Sequence, residues 1–272
     1  MIVDVETTGL SPEAGDRVCE VGAVKLRGGA VVESYGSLVN PQRPISAGAY
    51  AVNQISPQMV ADAPSFAEIA DQFAEMMHDC VLVAYNAPFD LSFLESEFRL
   101  AGHRPLKNPV VDALALARQL LPGLDRYPQE NVAQVIGIAF PVKHRATGDA
   151  FVTAQIFMMF VGILNGYDMT TVADLQRSDL CRHLHTKRLD MVGTALTGGR
   201  RLWIRYLSPF NGEISERFVT PKQVAKQVSA GYPQRSRRNA SPEVAYLIAH
   251  CHTADAERNF RIDRILKMKI LD

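Results

Sequence analysis

The chain has 272 residues, 47% hydrophobic and 21% charged, a globular composition with length enough for two domains. Its formal charge is zero, yet residues 1–163 hold 11 basic and 18 acidic residues (−7) while residues 164–272 hold 18 basic and 11 acidic (+7). No run of 18 or more apolar residues and no leader-like start argue against a membrane span or a signal peptide, and Cys19, Cys80, Cys181 and Cys251 lack CxxC spacing, so a cytoplasmic protein with reduced thiols is expected.

Residues 2–5 read as a short strand. Residues 17–41 read as two strands joined at Gly28-Gly29, a hairpin turn signal. In 65–80 the apolar residues fall at 66, 69, 70, 73, 76 and 77, which is helical spacing. The stretch 81–86 is a short buried strand, and 88–102 is a helix with Pro88 near its start. Residues 109–123 read as strand then helix, and 131–138 and 147–164 as further helices. A hairpin followed by alternating helices and strands predicts an α/β domain with a mixed sheet. The polar stretch 165–190 reads as a connecting helical segment. Beyond it, runs at 200–208, 214–221, 244–252 and 258–271 are rich in aromatic and β-branched residues, predicting a small mostly-β domain over 191–272.

The stretch VDVETTGL, residues 3–10, carries the first chemical signal. Strand side chains alternate between faces, so Asp4 and Glu6 lie side by side and repel. A divalent cation with a preference for hard oxygen ligands, Mg2+ or Mn2+, relieves that repulsion most simply. Further acids follow: Asp90 near the start of one helix, and Asp149 in the first turn of another, with Thr147 as a candidate cap. His144 stands five residues before Asp149 in the entry loop, within reach of the same site.

DVETTGL, NAPFDLSFL and HRATGDA, in this order and spacing, resemble the three motifs of the DEDDh (DnaQ-like) exonucleases. The resemblance covers roughly residues 1–164 and implies a ribonuclease H-like fold with a five-stranded mixed sheet flanked by helices. It implies that Asp4, Glu6, Asp90 and Asp149 hold two divalent cations and that His144 is the general base. By the same resemblance Thr7, Thr8 and Gly9 lie against the terminal nucleotide, and Asn86 and Phe89 line the strand's path. The expected substrate is the 3′ end of single-stranded DNA or RNA, and a DNA polymerase is a candidate partner, although no polymerase- or clamp-binding segment is evident. Where relatives commonly carry a His-Gly-Ile turn this chain has VNQISPQMV, and fewer residues precede Asp4, leaving a start upstream of Met1 open.

The second half, through GRRLWIRYLSPFNGEISERFVTP and VAYLIAHCHTADAERNFRIDRILKMKIL, resembles the WYL domain, with the triplet present as Ala245-Tyr246-Leu247. That resemblance implies a small SH3-like barrel binding nucleic acid or another anionic ligand. Arg205, Arg217, Arg261 and Arg264 lie close to strand aromatics, a pairing suited to phosphates and stacked bases, with a solvated strand face as the alternative. Three functions are therefore weighed: a metal-dependent 3′–5′ exonuclease, an oligoribonuclease-like trimming enzyme, and a non-catalytic sensor of nucleic acid or ligand.

Overall fold

The structure is a computed structural model, and it describes residues 1–139, 145–210, 212–227 and 244–272. Its contacts divide the chain into two compact units, Met1–Ala117 with Tyr127–Phe160, and Arg118–Arg126 with Val161–Asp272.

The first unit is built on a sheet of β1 (Ile2–Thr7), β2 (Val18–Arg27), β3 (Ala30–Leu38), β4 (Leu82–Ala84) and β5 (Val110–Asp112), in the order β3-β2-β1-β4-β5. The β2–β3 hairpin turns at Gly28 and Gly29, whose φ of 58° and 87° favour glycine. β1 is antiparallel to β2 and parallel to β4, and β4 is parallel to β5, so the sheet is mixed as the sequence predicts.

Among the described residues, the α-helices accompanying the sheet are, in chain order, α1 (Ala47–Asn53), α2 (Pro57–Val60), α3 (Phe66–Met77), α4 (Ala87–Leu100), α5 (Ala113–Leu120), α6 (Gln129–Val135) and α7 (Ala146–Asn165). The apolar stripe predicted for α3 is buried at Phe66, Ile69, Ala70, Phe73, Met76 and Met77. Phe98 of α4 meets Phe66 edge-on, with ring centres 5.1 Å apart, and stacks with Phe73 at 6.3 Å. Each such ring contributes about 1.5–3 kcal/mol by burial. α1 and α2 were not predicted. They are too short for a periodic pattern, and serine caps start them: Ser46 Oγ accepts from Ala49 N at 3.1 Å and Ser56 Oγ from Met59 N at 3.4 Å. α7 is apolar and long enough to cross a membrane by length and composition, and half of its most apolar stretch is buried inside the protein.

The second unit holds α8 (Val172–Leu175), α9 (Leu180–Thr197) and five strands: β6 (Leu202–Leu207), β7 (Ile214–Gln227), β8 (Val244–Cys251), β9 (Ala256–Arg261) and β10 (Ile265–Ile270). The strands form one antiparallel sheet, in the order β10-β6-β7-β8-β9. The helical stretch after residue 165 packs within this unit: Arg188 of α9 is buried over the Tyr167 ring and donates to the Asp263 carbonyl at 3.3 Å. The run 258–271, read as one strand-like segment, is two strands. A 3-10 turn at Ile262–Arg264 separates β9 from β10, and Asp263 at that corner accepts two hydrogen bonds from Arg261, at 3.1 and 2.7 Å.

Candidate active site

Asp4 and Glu6 lie on the same face of β1, each partly exposed between buried Val3, Val5 and Thr7. Across the sheet Asp4 faces Gly22 of β2 and Glu6 faces Glu20. α7 reaches this face because two glycines leave room for it. A Cβ at Gly22 would lie 2.2 Å from the Ala146 carbonyl carbon, and one at Gly36 2.2 Å from Thr147 Oγ1. The first turn of α7 therefore rests directly on β2 and β3 and brings the buried Asp149 over β1. Carboxylate oxygens of Asp4, Glu6 and Asp149 come within 4.8 Å of one another. Thr147 is not the cap foreseen for this helix. It is a helical residue lying on Gly36, and the Arg145 carbonyl accepts the Asp149 N–H at 3.0 Å.

Asp90 joins from α4. Its Oδ1 accepts the Val5 N–H at 3.0 Å, and the side chain is buried. Asp112, at the end of β5, holds the start of α4: its Oδ1 accepts N–H groups of Asn86, Ala87 and Leu114 at 3.1, 3.4 and 3.0 Å. Asn86 itself is exposed and has a left-handed φ of 74°, while Phe89 is half-buried with its ring 5.1 Å from Phe93.

The clustering is electrostatically costly. Burial, then the charges of Asp90, Asp149, Glu6 and Glu20, hold the Asp4 carboxyl well above the usual carboxylate range. Burial, then Asp149 and Glu20, raise Glu6 to about 7, against a hydrogen bond from Asn53 and the charge of Arg145. Burial raises Asp90 to about 8, opposed by the backbone hydrogen bond from Val5. Hard oxygen donors converging in one partly enclosed place, with Asp4, Glu6 and Asp90 resisting ionisation on their own, fit a divalent cation.

Three side chains that the sequence reading did not single out organise this site. Glu20, buried in the middle of β2, accepts from Arg145 Nε at 3.0 Å, from Arg145 Nη2 at 2.7 Å and from Ala146 N at 3.1 Å, fixing the entry to α7. Asn53, buried at the end of α1, donates to the Thr7 carbonyl at 3.2 Å and hydrogen-bonds Glu6. Asp112 is the third. A charged residue at a buried strand position was the signal for Glu20, and an acid between strand and helix was the signal for Asp112. Arg145→Ala is expected to leave Glu20 with only its backbone donor and to lower stability by about 1–3 kcal/mol. Urea titration measures this, with Arg145→Lys falling between; an unchanged midpoint for Arg145→Ala would show that the pair contributes nothing.

The loop after β1 is held by its own hydrogen bonds. Thr7 Oγ1 donates to the Gly9 carbonyl at 2.6 Å. Thr8 is fully enclosed, its hydroxyl donating to Asp16 Oδ1 at 3.3 Å and accepting the Arg17 N–H at 3.0 Å. Gly9 passes so close to Asp16 that a Cβ would fall 2.2 Å from its carboxylate. His144 lies outside the described residues; Arg145, directly after it, is described.

The four C-terminal arginines named from the sequence do not converge. Arg205 shares the outer face of β6 with Trp203 and lies beside Lys267 of β10, whereas Arg217 occupies an inward position on β7 opposite the buried Ile204. Arg261 is paired with Asp263 at 2.7 Å, and Arg264 is buried, with Nη1 donating to the Ser208 carbonyl at 3.3 Å.

A mixed five-stranded sheet with three carboxylates gathered over its central strand and a fourth held against that strand defines the class as a ribonuclease H-like exonuclease domain. The family model described as "Exonuclease" matches residues 1–157, and that of the WYL domain matches residues 239–270. The chain belongs to the exonuclease family, of the DnaQ-like, DEDDh type. The DNA polymerase III subunit epsilon of Treponema pallidum is 37% identical over 160 residues, covering 58% of this chain and 74% of that one. The PolC-type DNA polymerase III of Thermotoga maritima is 34% identical over 177 residues, 65% of this chain but only 13% of that protein. Among solved structures, Exonuclease X in complex with 5′ overhanging duplex DNA is 27% identical with a TM-score of 0.51, over 64% of this chain and 97% of that one. E. coli Exonuclease I in complex with a dT13 oligonucleotide shares the fold, with a TM-score of 0.55 at 20% identity over 81% of this chain and 51% of that one.

Proposed function

We propose that the chain is a divalent-metal-dependent 3′–5′ exonuclease that hydrolyses single-stranded DNA or RNA from its 3′ end and releases 5′-mononucleotides. The observation that carries this reading is the convergence of Asp4, Glu6 and Asp149 to within 4.8 Å. With Asp90, these residues are the ones that would hold two cations, Mg2+ or Mn2+. When bound, such cations lower the pKa of water and stabilise charge developing on the phosphoryl oxygens.

The chain's own residues do the rest. The hydrogen bond from Asn53 orients the Glu6 carboxylate and favours its charged form. The Val5 N–H does the same for Asp90, and the Glu20–Arg145 pair fixes the helix that carries Asp149. His144 takes the proton of the attacking water. The loop Thr7–Gly9, together with Asn86 and Phe89, borders the path of the terminal nucleotides. The polymerase subunits among the relatives make a DNA polymerase a proposed partner.

End-labelled single-stranded DNA and RNA, incubated with Mg2+ or Mn2+, should give a ladder shortening from the 3′ end. No ladder with either cation, or one shortening from the 5′ end, would overturn the reading. Oligomers of two to five nucleotides cut in preference to long strands would favour a trimming enzyme instead. His144→Ala is expected to lower kcat by about 10² to 10⁴, the usual loss for a general base, with cation binding retained. Near-normal turnover with an unchanged pH profile would assign the proton transfer elsewhere.

A further inference from the structure

On the outer face of the second sheet, three strands place Thr220, His250 and Glu257 in one row. Thr220 of β7 stands opposite His250 of β8, and His250 stands opposite Glu257 of β9. Residues directly opposite share a face, so these side chains are neighbours. His252 follows two residues after His250 and returns to the same face. Its backbone N–H donates to the Phe218 carbonyl at 3.0 Å, extending the β7–β8 pairing past the end of β8. The two imidazoles meet edge-on with ring centres 5.0 Å apart. Cys251, between them, is buried on the inner face, so strand alternation separates its thiol from the imidazoles.

The turn after β8 brings a carboxylate to this pair. The Ala254 N–H donates to the Cys251 carbonyl at 3.2 Å, and Asp255 takes a left-handed φ of 45°, which aspartate tolerates. Asp255 Oδ1 is thereby set 3.4 Å from His250 Nε2. That is longer than a good N–H···O hydrogen bond, about 2.7–3.2 Å. It matches instead the spacing of two ligands on one tetrahedral zinc ion. Bonds of about 2.0–2.1 Å to nitrogen and about 2.0–2.2 Å to oxygen leave the two donors about 3.3–3.5 Å apart.

His252 supplies a further ligand. Its Nε2 lies 2.9 Å from Thr220 Oγ1, which leaves Nδ1 as the ligating atom. An imidazole whose other nitrogen is hydrogen-bonded is the usual arrangement at a metal. His252 and Asp255 are exposed, so rotation of these side chains, rather than movement of the strands, closes the set. Glu257, the acid in the row, is engaged by Lys222 Nζ at 2.8 Å. Two imidazoles and one carboxylate, with a fourth position left to water, suit zinc. The donors around Asp4, by contrast, are all oxygen.

We propose that His250, His252 and Asp255 bind one Zn2+ ion, which clips the β8–β9 turn to the outer face of the sheet. The site is separate from the acidic one and does not depend on the nuclease reading.

The test is calorimetric titration of the full chain with Zn2+ in millimolar Mg2+, a hard cation that competes for carboxylate oxygen and not for imidazole. One-to-one binding is expected. His252→Ala, at an exposed position past the end of β8, should weaken Zn2+ about 100-fold or more, beyond the loss expected from an orienting group alone. Thr220→Val removes only the partner of the His252 ring and should weaken Zn2+ about tenfold. Asp255→Asn, which keeps a residue tolerant of the left-handed turn, should also weaken it. In melting curves Zn2+ should raise the transition of the wild type and leave that of His252→Ala where it is. Asp149→Asn should bind Zn2+ as the wild type does. Zinc binding lost in Asp149→Asn and kept in His252→Ala would place the ion among the acids and overturn the site. Absence of one-to-one binding at submillimolar Zn2+, or equal affinity in the wild type and His252→Ala, would overturn it as well.

Discussion

Asp4→Asn is expected to lower the rate of nucleotide release by at least about 10³-fold, the scale of losing one charge-stabilising group at a reacting centre. Yet it is expected to make the metal-free protein more stable. Asp4 is held well above the usual carboxylate range, Glu6 is raised to about 7 and Asp90 to about 8. The folded state therefore binds these protons more tightly than the unfolded chain does. The associated stability is fully present below the unfolded values, near pH 4, and is lost as pH rises through 7 to 8. Without metal, the wild type should melt lower at pH 8 than at pH 5.5. Asparagine at position 4 removes one of the repelling charges, so the variant should melt above the wild type at pH 8, by about 2–4 °C for each kcal/mol relieved. At pH 5.5, below the raised values of Glu6 and Asp90, the gap should narrow. Added Mg2+ or Mn2+ should reverse the order, because the cation stabilises the four-carboxylate site more than the depleted one. Melting curves at two pH values, with EDTA and with Mn2+, carry the test. A variant less stable than wild type at pH 8 in EDTA would show that Asp4 is already compensated by the protein. Wild-type turnover in the variant would remove Asp4 from the site.

The acids were legible in the sequence because each sits at a recognisable junction. Asp4 and Glu6 share a strand face, while Asp90 and Asp149 occupy the first turns of helices predicted from the sequence, the former from Pro88 near its start. The central strand, the Gly28-Gly29 hairpin, α3 and α4 were legible for the same reason, since local periodicity and turn chemistry agree with the fold. What holds the acids together was not. Glu20 meets Arg145 across 125 residues of sequence, and neither residue has a local pattern that points to the other. Asn53 closes a seven-residue helix that depends on Ser46 for its start. In the second unit the arginines looked equivalent because Arg205, Arg217 and Arg261 each neighbour an aromatic residue and Arg264 follows three positions after Arg261. Strand register sorts them instead, and shifts at Pro221/Gln223 and Ile265/Lys267 break the simple alternation on which the sequence reading relied.

Gly22→Ala is expected to damage the active site without touching a charged group. The added Cβ would lie 2.2 Å from the Ala146 carbonyl carbon, 2.3 Å from Thr147 N and 2.4 Å from the Ala146 oxygen. All three are backbone atoms at the start of α7, so no side chain can swing aside. Either β2 bends or the helix start lifts off the sheet, and the Glu20 contacts to Arg145 and Ala146 resist the second. Overpacking of this kind costs about 1–3 kcal/mol. The larger effect falls on chemistry. Lifting the first turn draws Asp149 away from Asp4 and Glu6, and a displacement of about 1 Å can cost about 10²-fold in rate. The variant should bind Mn2+ more weakly, so that raising the cation concentration recovers part of the lost activity. Asp149→Asn, which removes a ligand outright, should not recover. Gly48→Ala is the control: it lies within α1 with nothing within 4 Å of the added carbon. There alanine should be neutral or raise stability by up to about 1 kcal/mol through helix propensity. Gly22→Ala with wild-type melting temperature and wild-type cation dependence would mean that α7 does not rest on β2, and the positioning of Asp149 would need another cause.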